Sequence, residues 1–407
     1  MQPLWAPVDV RERLGLLDAT RAAALLGIFI VNLEWFNRPW EAFGTGAQPG
    51  LAGADAAVAW VVQVFVAGKA WVLFSLLFGI GFALMQARAE RVGRDFAPAY
   101  RRRAWTLLAI GLAHGMLLWP GDVLRSYALA ALLMLFLRDW PPRRQRNLGL
   151  VLYLLVGMAM LSMAGAYLFL DDGRDARAAA AGAAESARVY ATGGYGEIMV
   201  QRVRDLLRFM ANDVAVVPMA LGVFLIGSWL LRSGRIAEPE RHRAFHRRMA
   251  CWALPLGLGL TLATRSAVAS DALREAGAGA GYLAAALYQL AALPAALGIL
   301  SVLVLLWLRP AGARALSAIA PAGRMALTHY LLQSLIASTL FYGYGFALWG
   351  RFGPAALLAL ALATFALQVL ASRWWLARYR FGPVEWLWRW ATYGRRPPMR
   401  LGEGAAA

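Results

Sequence analysis

The chain has 407 residues, 60% hydrophobic and 16% charged, and its 41 Lys and Arg outweigh 23 Asp and Glu to give a formal net charge of +18. A soluble domain carries about a quarter charged residues, so this composition, with a mean hydropathy of +0.53, excludes an ordinary soluble enzyme. The 12% of aromatic residues also excludes a disordered or fibrous chain, because so much apolar surface demands burial.

Apolar runs near the ~20 residues that a bilayer core requires recur along the chain. The fold class expected is therefore all-α: a polytopic membrane protein of about ten transmembrane helices. In order, the spans fall near 14–36, 70–87, 104–119, 121–137, 148–170, 213–231, 249–268, 282–308, 323–345 and 354–372. Residues 55–68 are too short for a span and read as an interfacial or re-entrant helix leading into the second. With the N-terminus inside, inner segments hold 28 Lys and Arg and outer segments hold 12. The positive-inside rule thus orients the chain N-in and C-in. The same distribution, in short loops, accounts for the charge without a nucleic-acid partner. The first apolar run starts near Leu14 and lacks a small-residue cleavage site, so no cleavable signal peptide is expected.

The whole chain, 1–407, reads as a single integral membrane domain. Its longest extracytoplasmic loop, 171–212, is Ala-rich, and residues 196–210 read as an amphipathic helix on the outer surface. The tail 373–407 is basic and rich in Trp, which suits a cytoplasmic interfacial helix. One cysteine, Cys251, excludes an internal disulfide. Four scattered histidines give no metal-binding cluster, so no metal is expected. His242 and His246, in a basic inner loop, are expected to be solvated.

Ionisable groups inside a bilayer are costly and mark candidate sites. The first span holds Asp18, Arg21 and Asn32. Asp18 and Arg21 are three apart and can pair on one helix face. Asn32 returns to within ~20° of that face, roughly 16 Å further along. A snorkelling Arg neutralised by Asp18 explains the pair equally simply. His114 lies near the outer end of the third span, and Asp122 follows the Pro120–Gly121 turn. That turn can fold Asp122 back towards His114, and a His beside a carboxylate can act as a general base. The alternative is a core His bonded to a carbonyl, with Asp122 capping the next helix. In the ninth span His329 and Gln333 share a face, with Arg324 at its inner mouth; interhelical hydrogen bonding explains them as well as a ligand site does. Lys69, the sole lysine, stands at the outer mouth of the second span, as an interfacial anchor or a cation facing a substrate. Gly79 and Gly81 suggest close helix contact. Ser75, Ser334 and Ser338 read as packing residues, since no nucleophile-elbow motif surrounds them.

Several stretches together resemble the YeiB-like family of bacterial membrane proteins. They are RLGLLDATRAAALLGIFIVN, GKAWVLFSLLFGIGFAL, GLAHGMLLWPGDVLRSYALAALLML, PAGRMALTHYLLQSLIASTLFYGYGFALWGRFGP and RFGPVEWLWRWATYGRRPPMR. The resemblance spans nearly the whole chain except 171–212. It implies a place in the transmembrane acyltransferase superfamily, whose members move an acyl group from cytosolic acyl-CoA to a substrate across the membrane. The O-acetyltransferase branch carries a basic residue in the first span, ten others, then His; here Arg21 and Asn32 fall on those positions, and Asn cannot be a general base. The heparan enzyme's His between its first two spans has no counterpart in this chain, so His114 is the natural replacement. The family's Arg-Gly is Arg21–Ala22 here, and the Asn of its LTNY stretch is His329.

The resemblance therefore implies an acyltransferase of the bacterial inner membrane. Acyl-CoA, most simply acetyl-CoA, is the donor, and a small molecule, sugar or lipid-linked glycan is the acceptor. The expected site is a tunnel between the first, third and ninth spans. Arg21, Arg324 and Asp18 sit at the donor's cytosolic mouth. His114 and Asp122 act as base, with Asn32 and Gln333 as oxyanion donors. Lys69, Tyr127 and His329 line the acceptor side. Membrane lipid surrounds the chain, and since related acyltransferases include dimers the resemblance admits a homodimer. The rival expectation is a transporter or exporter of a small metabolite, which also suits polar residues at mid-membrane. Against it, the halves carry no matched Gly/Pro-broken helices.

Overall fold

The structure, a computed structural model, describes residues 15–39, 50–170, 174–268 and 277–401. The basic residues expected before the first span, and the stretch 269–276, lie outside the described residues. Those described form sixteen α-helices and no strand. They are α1 Gly15–Asn37, α2 Gly53–Phe65, α3 Lys69–Arg91, α4 Ala97–Leu117, α5 Leu124–Met134, α6 Pro142–Leu170, α7 Arg174–Thr192 and α8 Tyr195–Ala211. There follow α9 Asp213–Arg232, α10 Arg243–Arg248, α11 Leu254–Val268, α12 Gly277–Trp307, α13 Pro310–Arg324, α14 Ala326–Phe341, α15 Pro354–Leu376 and α16 Pro383–Tyr393. Pro310, Pro354 and Pro383 open three of these at their first turn, where a missing N–H costs no helical hydrogen bond.

Six helical stretches are long and apolar enough to cross a membrane: Gly15–Asn37, Gly53–Arg91, Pro142–Leu168, Asp213–Arg232, Gly279–Trp307 and Pro354–Leu376. The chain is a multi-pass helical membrane protein. The other four expected spans occur as α4, α5, α11 and α14, which are too short or too polar to join that set. The segment that looked too short to span is α2, joined to α3 through a break at Gly68, whose φ of 75° lies where only glycine is comfortable. Leu154, Leu155, Leu367 and Leu370 point outward from α6 and α15 and are more than half exposed, as lipid-facing side chains must be.

The core forms where α3, α9, α6 and α12 cross, around Leu76, Ile80, Val223, Ile226, Leu300 and Val304. Small residues set how closely the backbones approach. A Cβ on Gly79 would run into the backbone of Phe224, and one on Gly227 into that of Leu76. Gly149 and Gly222 do the same for the α6–α9 crossing. Gly81 is different: nothing lies within 4 Å of where its Cβ would stand, and it lines a cavity instead. Only one of the two glycines read as contact residues therefore serves contact. Gly79→Ala is expected to lower the melting temperature through about 1–3 kcal/mol of overpacking. Gly81→Leu is expected to leave the melt unchanged and to abolish ligand uptake by that cavity. Thermal melts of the two variants check the pair.

Two segments sit deeper than their composition suggested. The amphipathic α8 forms over the stretch expected, with one face exposed at Val200, Leu207 and Met210 and the other sunk into the bundle. Its residues Ile198, Arg202, Asp205 and Leu206 are buried, and Leu206 would touch a Cβ on Gly115 of α4. Arg202 donates to the Leu117 carbonyl at 2.6 Å and to the Tyr344 hydroxyl at 2.7 Å. It thus places a cation on the carbonyl end of α4, the negative end of the helix. His246 is likewise buried, not solvated: its Nδ1 lies 3.2 Å from Ser301 Oγ and its Nε2 2.9 Å from the Arg235 carbonyl. Burial pushes its pKa below the ordinary 6.5, against the pull of the Arg235 carbonyl. The unfolded chain then binds the proton more readily, so the stability that His246 contributes is present above about pH 6.5 and lost as pH falls through that value. Melts between pH 5 and 8 are expected to show this slope in the wild type and to lose part of it in His246→Gln.

Candidate active site

The bundle encloses a cavity of about 390 Å³ between α1, α3, α4 and α14, with α16 across its mouth. It lies at the end where α1 begins and α3 ends, opposite the α7–α8 hairpin. Two chemistries divide its wall. Towards the mouth stand Asp18, Arg21, Arg88, Arg91, Arg103, Arg324, Glu385 and Arg389, six guanidinium groups against two carboxylates. Towards the closed end stand Leu25, Ile28, Phe74, Phe78, Leu124 and Tyr330. Such a cavity suits an extended molecule with an anionic head and a weakly polar end, because guanidinium forks match phosphate oxygens.

Local structure sets each of these groups. Arg21 pairs with Asp18 at 2.5 Å, three residues away on one helix face. Gly323 lets the end of α13 meet the α1 backbone at Asp18, which delivers Arg324 to the same mouth. Arg103 lies 3.4 Å over the Trp388 ring, and Trp388 Nε1 donates to the Arg103 carbonyl at 2.9 Å. These two contacts hold the tail helix against α4. Glu385 accepts from the Leu327 and Thr328 N–H groups at 2.7 and 3.0 Å and from Thr328 Oγ1 at 2.6 Å. A carboxylate on the first turn of α14 satisfies donors that the helix itself cannot. Burial pushes the Glu385 carboxyl above its ordinary range, against the pull of the Thr328 and Leu327 donors. The tail is thus part of the cavity's wall, while Leu387 and Trp390 still face outward.

Behind the closed end lies the His114–Asp122 pair. The turn after α4 does fold back: His114 Nδ1 is 3.1 Å from Asp122 Oδ1, and both side chains are at most 1% exposed. Gly111 permits this, since a Cβ there would stand 2.7 Å from Asp122 Oδ2 and 2.6 Å from the Arg125 nitrogen. Tyr330 donates to the same Asp122 Oδ1 at 2.9 Å, and its ring centroid is 5.2 Å from that of His114. Among the described residues neither nitrogen of His114 has an aligned hydrogen-bond partner, although Nδ1 stands within ion-pair distance of Asp122. Asp122 Oδ2 accepts the Arg125 N–H at 3.4 Å, a long cap on α5. Both roles read from the sequence, partner of His114 and cap of the next helix, belong to the one carboxylate.

On the far side of the pair, Trp119 and Pro120 face a cleft of about 20 Å³ that also touches Trp35, Arg38, Tyr190 and Asp205. It holds little more than one water molecule. Tyr190 donates to Asp205 at 2.8 Å, and Phe36 stacks on Trp119 with centroids 4.9 Å apart. The α7–α8 hairpin closes this side.

The other sequence candidates lie elsewhere. Asn32 is one turn beyond Ile28, the last α1 residue on the cavity wall, and is half-buried. Lys69 donates to the Gln63 carbonyl at 3.1 Å, across the break between α2 and α3. Tyr127 OH lies 2.5 Å from Ser75 Oγ in the core. His329 Nε2 meets Ser372 Oγ at 2.6 Å, and Gln333 donates to Gln368 at 2.9 Å. These last two face α15, away from the cavity, and form the interhelical network that was the alternative reading. The sequence reading missed Tyr330, Arg88, Arg91, Arg103, Glu385 and Arg389. Glu385 was open to discovery as the lone carboxylate of RFGPVEWLWRW. Tyr330 gave no signal, because its partner is 208 residues away.

Fold and site together define a multi-pass helical membrane protein with an arginine-lined cavity ending at a buried His–Asp–Tyr cluster. The profile of a family described as "Protein of unknown function (DUF418)" matches residues 230–395. The uncharacterized protein YxaH of Bacillus subtilis is 31% identical over 404 residues, covering 95% of this chain and 96% of that protein. The uncharacterized protein YeiB of Escherichia coli is 32% identical over 389 residues, covering 94% and 96%. An uncharacterized 39.9 kDa protein in the amylase 3' region of Bacillus acidopullulyticus is 29% identical over 402 residues, covering 97% and 98%. The chain belongs to the YeiB-like, DUF418 family.

Proposed function

We propose that the protein is an acyltransferase of the bacterial inner membrane, with about ten spans and both termini inside. It takes an acyl group, most simply acetyl, from cytosolic acyl-CoA to a hydroxyl or amine acceptor on the outer side. One observation carries this reading: the buried His114–Asp122 pair is flanked by Tyr330, Val123 and Leu124, which line the arginine-lined cavity, and by Trp119 and Pro120, which line the outer cleft. The arginines at the inner mouth bind the donor's phosphates, and the apolar depth receives the pantetheine arm and thioester. The acceptor enters where the α7–α8 hairpin now closes, so the hairpin moves to admit it.

In the transfer, His114 Nε2 takes the acceptor's proton as its oxygen or nitrogen attacks the thioester carbon. The oxyanion that forms collapses with cleavage of the C–S bond. His114 then returns the proton to the departing CoA sulfur, so the acylated acceptor and free CoA leave and the chain is unchanged. Asp122 stabilises the imidazolium between these steps. Asn32, Gln333, Lys69 and His329 have no part in this scheme.

Acetyl-CoA titrated into the purified protein, by thermal shift and calorimetry, tests the reading. A ligand that binds only the folded state raises its apparent stability by mass action. Saturable binding is expected, weakened about 10–100-fold in Arg21→Ala, the value of one charge-assisted phosphate contact. Folded protein that binds neither acetyl-CoA nor a longer acyl-CoA would overturn it. Uptake of a labelled solute by vesicles lacking acyl-CoA would then make the protein a transporter.

A further inference from the structure

Asp122 Oδ1 has two suitors. Tyr330 OH holds it at 2.9 Å in hydrogen-bond geometry. His114 Nδ1 approaches the same oxygen to 3.1 Å but is not aligned, and among the described residues His114 Nε2 has no hydrogen-bond partner either. A buried imidazole with both nitrogens unpaired is a costly arrangement in a protein interior. The carboxylate oxygen that would orient the ring already accepts from Tyr330; one oxygen can accept two hydrogen bonds, but the ring is not aligned to supply the second. The other oxygen holds Asp122 in this orientation, since Oδ2 packs against Gly111 and faces the Arg125 N–H. Of the three side chains only Tyr330 lines the arginine-lined cavity. Tyr330 is therefore the member of the cluster that a ligand in that cavity meets first, and His114 stands behind it.

We infer that Tyr330 is a positioning residue that couples occupancy of the inner cavity to the orientation of His114. The inference rests on the acyl-donor reading of that cavity. In the structure the Tyr330 hydroxyl donates to Asp122 and His114 is left unaligned. A carbonyl oxygen at the closed end offers that hydroxyl a second acceptor, and a hydroxyl hydrogen turns to suit its partners without moving the ring. Asp122 Oδ1 is then free for His114 Nδ1–H. That bond fixes the tautomer, with the proton on Nδ1 and the lone pair on Nε2. The acceptor's base is thus set only when a donor is in place, and the Tyr330 hydroxyl is at the same moment aimed at the oxygen that becomes the oxyanion.

Nitrogen NMR of histidine-labelled, full-length protein tests this, with the His114 signals assigned from His114→Gln. The wild type alone is expected to show no Nδ1–H bonded to a carboxylate at His114. Acetyl-CoA is expected to bring that signature out, and Tyr330→Phe is expected to show it without any ligand. Asp122→Asn is expected to lack it in every state. In turnover, Tyr330→Phe is expected to lower kcat by about 100-fold, the scale of a lost oxyanion donor, with KM for acetyl-CoA changed by less than about threefold. A merely structural tyrosine would move neither the tautomer nor kcat apart from KM. Acetyl-CoA that binds without changing His114 would overturn the coupling. A His114 signal in Tyr330→Phe identical to that of the wild type would overturn the competition for Asp122, whatever binds the cavity. If acetyl-CoA fails to bind at all, the acyl-donor reading falls, and the Tyr330→Phe spectrum still decides whether the two residues compete.

Discussion

His114→Gln is expected to lower acyl transfer by roughly 10²–10⁴-fold, the contribution of a positioned general base, and to leave acetyl-CoA binding within about twofold of the wild type. The separation follows from geometry. In the proposed reading the donor's anionic head meets the guanidinium groups at the mouth, while His114 stands behind Tyr330 and does not line the cavity. Glutamine keeps much of the volume and hydrogen-bonding capacity of the ring but cannot carry a proton between acceptor and leaving group. Calorimetry and a transfer assay on the same preparation check it. A variant that transfers at the wild-type rate would remove His114 from the chemistry, and one that loses binding together with transfer would show that the residue is structural.

The largest effect on stability is expected at Arg125. Its guanidinium meets Asp213 through two bonds, Nε to Oδ2 at 2.7 Å and Nη2 to Oδ1 at 3.1 Å. Ser126 Oγ adds a third at 2.6 Å. The Arg125 and Asp213 side chains are only 3% and 13% exposed. Removing one partner strands the other charge away from water, which costs about 3–5 kcal/mol. Arg125→Met is therefore expected to lower the melting temperature sharply. The double variant Arg125→Met with Asp213→Leu is expected to recover most of the loss, because an apolar pair leaves no buried charge. The pair also anchors the start of α5 to the start of α9, next to the turn that carries Asp122. Arg125→Met is thus expected to loosen the His114–Asp122 approach as well. Thermal melts of the two variants and the wild type, with the His114 nitrogen signals as a second readout, check both consequences.

Chain composition and span length were enough to establish an all-helical, multi-pass protein, because burying 60% hydrophobic residues in apolar runs of that length leaves few other outcomes. Local spacing was enough for the Asp18–Arg21 pair and for the return of Asp122 to His114. In both, one helix turn or one tight turn joins the partners, so their distance is a property of a few neighbouring residues. Motif resemblance carried the family.

Only the tertiary structure decided what stands around those groups. His329 and Gln333 look like site residues on a helical wheel, but a wheel does not say which neighbour a face meets, and theirs meets Ser372 and Gln368 of α15. Gly79 and Gly81 are chemically alike, yet one touches a backbone and the other opens a cavity. The guanidinium groups at the mouth come from α1, α3, α4, α13 and α16, and no spacing along the chain relates them. Tyr330 and Asp122 meet across 208 residues. Helix formation is set by nearby residues, whereas a cavity and the hydrogen bonds that share one carboxylate oxygen are set by which helices pack and how closely their small residues let them approach.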